Sequence, residues 1–89
     1  MLKVRKGEMK IFEIIWTTNE RDYFVEVETD CYAIALDAYR EEKRDQAKYR
    51  ESKLVELREF IAPIGYLEMD PIDRPFIDSY ETIYQSKLK

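Results

Sequence analysis

From Thr29 to Ala62 the chain carries no strong breaker of regular structure: no Gly or Pro falls between Asp30 and Ala62. Such a run has room for long elements and no glycine for a tight turn. An alternating segment precedes it and a Pro-containing segment follows it.

The apolar residues of the run read as helical at both ends. Tyr32, Ala35, Leu36 and Tyr39 fall at i, i+3, i+4 and i+7, and Leu54, Leu57, Phe60 and Ile61 repeat the pattern. Thr29 or Asp30 would serve as N-cap. Between these stripes, residues 40–53 hold only Ala47 and Tyr49 as apolar side chains. A single long helix would leave its middle in water. Pairs such as Glu41–Arg44 and Asp45–Lys48 would support it by about 0.2–0.5 kcal/mol each, and Tyr39, Tyr49 and Leu54 would invite dimerisation. A helical hairpin turning near residues 45–50 is preferred, because a small domain must fold its apolar ends together.

Residues 9–17 alternate as a strand, with Phe12, Ile14 and Trp16 on one side and Ile11, Glu13 and Ile15 on the other. Residues 22–28 alternate likewise, Tyr23, Val25 and Val27 against Phe24, Glu26 and Glu28. The turn formers of Thr18-Asn19-Glu20-Arg21 lie between. A four-residue loop pairs Thr17 with Asp22, and so Trp16 with Tyr23, Ile14 with Val25 and Phe12 with Val27, all on the expected core face. The same register sets Glu13 opposite Glu26, and like charges across a ladder repel. Either a Lys or Arg stands between them, or Ile11, Glu13, Ile15, Phe24, Glu26 and Glu28 form an acidic-apolar patch for a basic partner.

Pro63, Gly65, Pro71 and Pro75 break residues 63–75, although Ile64, Tyr66, Leu67, Met69 and Ile72 are apolar. Residues 65–69 would add a short edge strand or wrap over the core, and an exposed Tyr66-Leu67-Met69 ridge would be a docking site. Pro75 suits the first turn of a last helix. Phe76, Ile77, Tyr80, Ile83, Tyr84 and Leu88 would form its apolar stripe, with Asp73 and Asp78 near its positive end.

The expected fold is a small single α+β domain over residues 9–89. An antiparallel β-hairpin packs against two or three α-helices in the order ββα(α)(β)α. Residues 1–8 are expected to be a flexible basic extension. Lys6-Gly7-Glu8-Met9 is also how a purine-rich ribosome-binding site reads when translated, which raises Met9 as the natural start.

Charge narrows the function classes. The net charge is −4, with +2 on residues 1–8, −4 on 9–30, zero on 31–62 and −2 on 63–89. An acidic hairpin and an acidic C-terminal part disfavour nucleic acid and anionic lipid as partners. Arg40, Lys43, Arg44, Lys48 and Arg50 cluster around Tyr49, but Glu41, Glu42, Asp45 and Glu51 interleave and cancel their field. There is no His, and Cys31 is the sole cysteine. This removes the usual general base, zinc patterns, Ser-His and Cys-His pairs and an internal disulfide. Cys31 reads as a structural thiol and Asp70/Asp73 as turn residues rather than Mg²⁺ ligands. With no phosphate loop either, no enzyme activity and no cofactor are expected. A lone thiol and the lack of an apolar signal or bilayer-length run point to the cytoplasm.

The expected function is therefore a small acidic, non-enzymatic protein-binding module for a basic protein, such as a nucleic-acid-handling enzyme. In make-up the chain looks like small accessory proteins of bacteriophages that inhibit host enzymes or defence systems, some of them by mimicking DNA. No motif carries that likeness. The candidate partner-binding residues are Glu13, Glu20, Asp22, Glu26 and Glu28, joined by Asp70, Asp73, Asp78 and Glu81. The alternative is an assembly module that homodimerises through its central helices or a strand edge.

Overall fold

The computed structural model describes residues 2–18 and 22–88. Its elements run β1 (Glu8–Thr18), β2 (Tyr23–Thr29), α1 (Tyr32–Gln46), β3 (Ser52–Pro63) and β4 (Glu81–Lys87). Two short 3₁₀ turns, Tyr66–Glu68 and Pro71–Asp73, lie in the long β3–β4 connection. The strands form one antiparallel sheet in the order β2-β1-β3-β4. The order is thus β-β-α-β-β with one α-helix, which corrects the expectation of two or three.

The Gly- and Pro-free run changes period part-way along. Its first half is the expected helix, burying Ala35 and Tyr39. Neither Thr29 nor Asp30 is its N-cap: Cys31 holds that position, and Thr29 Oγ1 accepts from the Cys31 amide at 3.1 Å. The helix ends without glycine. The Lys48 and Tyr49 amides donate to the Asp45 and Gln46 carbonyls, while the Ser52 hydroxyl donates to the Gln46 side chain. The second half is β3, an inner strand. It carries Val55 and Leu57 on one face and Leu54, Phe60 and Ala62 on the other. A strand apolar on both faces reproduces helical spacing by coincidence, here at positions 54, 57 and 61.

The expected last helix is irregular over residues 75–80 and a strand from Glu81 to Lys87. On β4 the register shifts between Leu57–Tyr84 and Arg58–Thr82, leaving Ile83 as an extra residue. One bulge breaks the two-residue alternation and turns it into the three- and four-residue spacing of an amphipathic helix. Residues 65–69 form no edge strand. Gly65 turns the chain at φ +90, a conformation costly for residues with a Cβ. The 3₁₀ turn that follows buries Tyr66. The expected Tyr66-Leu67-Met69 ridge is therefore not exposed: Tyr66 meets Phe60 edge-on at 5.6 Å, and Leu67 packs on the same cluster.

A second bulge shifts the first hairpin. Trp16 pairs with Phe24, Ile14 with Val27 and Phe12 with Thr29, and Glu26 is the extra residue. The expected core partners Tyr23 and Val25 consequently lie on the other face, and Glu13 stands opposite Glu28 rather than Glu26. The expected turn Asn19-Glu20-Arg21 lies outside the described residues. The flanking Thr18 amide donates to the Asp22 carbonyl at 3.0 Å.

The sheet thus separates two apolar clusters. On the helix side, Phe12, Ile14, Val55 and Leu57 meet Ala35 and Tyr39. On the other side, here called the open face, Ile11, Phe60 and Ala62 are covered by Tyr66, Leu67 and Ile77. The 64–80 connection covers only part of this face. The remainder is a groove.

Candidate functional site

The groove holds about 470 Å³. Its floor is the centre of the sheet, where Glu13 on β1 faces Arg58 on β3 across the ladder. Tyr23 and Val25 of β2 form one wall; Pro71, Arg74, Phe76 and Tyr80 of the connection form the other. The bulge at Glu26 matters here, because it turns Tyr23 and Val25 onto the open face. Phe76, in the wall formed by the connection, is 88% exposed. Large side chains this exposed in a concavity are typical of surfaces that meet another molecule.

Two arginines organise the groove. Arg58 donates to both oxygens of Glu56 at 3.3 and 3.4 Å, and Glu56 also accepts from the Thr82 hydroxyl at 2.9 Å. The Arg58 guanidinium lies over the Tyr80 ring, 4.0 Å from its centroid, and 5.9 Å from that of Tyr23. Such cation–π contacts are electrostatic and fix both partners. Arg74 donates to Glu28 at 2.9 Å and to the Leu67 carbonyl at 3.3 Å, and lies 4.7 Å over the Tyr66 ring. It therefore ties the connection to the edge strand β2. Burial pushes the Tyr66 hydroxyl above its ordinary range, with the Glu28 charge adding to the effect.

Glu13 differs from the other two carboxylates. Glu56 and Glu28 are each held by an arginine, whereas Glu13 makes no hydrogen bond or close ion pair among the described residues. Burial pushes its carboxyl pKa up; the positive charge of Arg58 opposes this, and the charges of Glu28 and Glu56 reinforce it.

The nine acids singled out in the sequence are not gathered on one side. Glu13 and Glu28 share the open face, and Glu28 is neutralised by Arg74. Glu26 accepts from the Trp16 indole N–H at 2.8 Å, on the helix side. Glu81 stands opposite Glu59, also on the helix side. Asp22, Asp70, Asp73 and Asp78 are exposed; the first three adjoin the groove residues Tyr23, Pro71 and Arg74 in sequence, whereas Asp78 lines a separate pocket with Leu2 and Ile61. Asp70 additionally accepts from the Ile72 amide at 3.2 Å. Glu20 lies outside the described residues. The groove residues missed in the sequence are Tyr23, Arg58, Arg74, Phe76 and Tyr80. Tyr23, Phe76 and Tyr80 belong to the chain's high aromatic content, 13%, and Arg58 and Arg74 carried no signal.

Among the described residues, no group of three or more acids or cysteines is placed to hold a metal ion, and no helix is long and apolar enough to cross a membrane. Comparison with family models, curated proteins and solved structures found no match.

Proposed function

We propose that the chain is a small non-catalytic protein-binding module whose docking surface is the groove on the open face of the sheet. The observation that carries this reading is the near-complete exposure of Phe76 in a concavity also lined by Tyr23, Val25 and Tyr80. An apolar centre with a polar rim is the usual anatomy of a protein interface. The exposed Asp22, Asp70 and Asp73 each adjoin a lining residue in sequence, and the partner they suit is a basic protein of the kind that handles nucleic acid. The acids form no regular row, so recognition rests on aromatic contact with charge steering the approach.

Homodimerisation through a strand edge has less behind it. Both edge strands carry a bulge, Glu26 on β2 and Ile83 on β4. Bulges are a common means of keeping sheet edges from pairing.

A photo-crosslinking amino acid placed at position 76, and separately at Ile34 on the outer side of α1, tests the reading in bacterial lysate. Adducts are expected from position 76, to be absent from position 34, and to diminish in high salt. Equal adducts from both positions, or none from position 76, would overturn it.

A further inference from the structure

Charge counting inside the groove singles out one residue. Among the described residues, Glu13, Glu28 and Glu56 face two guanidinium groups, those of Arg58 and Arg74. Arg58 is bidentate on Glu56 and stacked on Tyr80; Arg74 is bonded to Glu28 and stacked on Tyr66. Each arginine therefore has its own carboxylate and its own ring, and the carboxylate left over is Glu13.

We infer that Glu13 is the specificity-determining anchor of the groove, receiving one lysine or arginine side chain from a partner whose flanking residues are apolar. This rests on the groove being the docking surface. The geometry supports it in three ways. Glu13 lies on the groove floor with Glu28 and Arg58 directly across the ladders, and Tyr23, Val25 and Phe60 line the same groove, so a long basic side chain reaching it would lay its methylenes on apolar walls. An incoming cation would bring the floor to zero net charge and supply the donors that Glu13 lacks. The exposed Asp22, Asp70 and Asp73, each next in sequence to a lining residue, attract the same sign of charge. Burial of the Glu13 carboxylate makes this discriminating: a neutral side chain would leave a desolvated charge unpaired, and an acidic one would add repulsion.

A displayed random peptide library is the probe, selected in parallel on the wild-type protein and on the Glu13→Gln and Phe76→Ser variants. Wild-type protein is expected to enrich peptides with a Lys or Arg beside apolar residues. Replacing that residue with norleucine should weaken binding to the wild type tenfold or more, and Glu13→Gln should do the same. Peptides that need Phe76 but carry a neutral or acidic centre, and bind Glu13→Gln equally well, would overturn the role of Glu13 and leave the groove standing. Enriched peptides indifferent to Phe76→Ser would overturn the groove itself. The norleucine comparison uses only wild-type protein, so it decides the matter even if Glu13→Gln folds poorly.

Discussion

Arg74 reaches 46 residues back along the chain to donate to Glu28 at 2.9 Å, and this contact fastens the 64–80 connection to the edge strand of the sheet. Both side chains are largely buried, 18% and 23% exposed. A hydrogen bond to a charged group in such a setting contributes about 1.5–3 kcal/mol. Arg74→Ala should lower stability by an amount of that order, measured by urea unfolding. It should also loosen one wall of the groove, seen as faster amide exchange over residues 66–80. Unchanged exchange there would show that Tyr66 and Ile77 hold the connection without it.

The helix-side core should be the least tolerant region. Leu57 is fully buried at its centre. Leu57→Ala should cost about 2–5 kcal/mol, a large part of the stability of a domain this size. A smaller loss is expected for Tyr39→Phe, which removes the hydroxyl 2.6 Å from Ser86 Oγ, about 1 kcal/mol. Comparable losses for the two variants would mean that the packing of α1 on β3 has been misjudged.

Much of the first half of this arrangement was legible. Phe12, Ile14 and Trp16 alternate plainly, and Tyr32 to Tyr39 read as the helix they form. The second half was not, for a physical reason. Val55 and Leu57 alternate with Glu56 and Arg58, but Leu54, Phe60 and Ala62 put apolar side chains on the other face of the same inner strand, which blurs the two-residue period. Ile83 is a bulge residue that moves Tyr84 into helical step with Tyr80. The candidate acids were only partly legible. Charged neighbours far apart in sequence, such as Arg58 facing Glu13 across the ladder and Arg74 bonded to Glu28 46 residues away, depend on which strands become neighbours. The bulge at Glu26, which turns Tyr23 onto the open face, has no glycine to announce it.

Glu13 makes stability depend on pH in a definite direction. Its carboxyl pKa is raised in the folded protein by burial, against the opposing charge of Arg58 and with Glu28 and Glu56 adding to the rise. A raised carboxyl stabilises the fold when protonated, below its unfolded value. That stabilisation is lost as pH rises through the folded value. Glu13→Gln should therefore be at least as stable as the wild type at pH 7. Its advantage should shrink as pH falls through the carboxylate range, measured by urea unfolding at several pH values. An advantage that grows on acidification would show that the charged form is the favoured one.

Solution mass should be that of one chain. With the sheet edges β2 and β4 both bulged, light scattering at micromolar concentration is expected to give a monomer. A stable dimer would revive the assembly reading and call for locating its interface.

The most direct test of the groove as docking surface is an amide chemical-shift titration of the labelled protein with the tightest peptide from the library selection. The largest shifts are expected at Tyr23, Val25, Phe60, Phe76 and Tyr80, and they should vanish in Phe76→Ser. Shifts centred instead on the outer side of α1, at Ile34, Asp37 and Arg40, with the open face unmoved, would contradict the account.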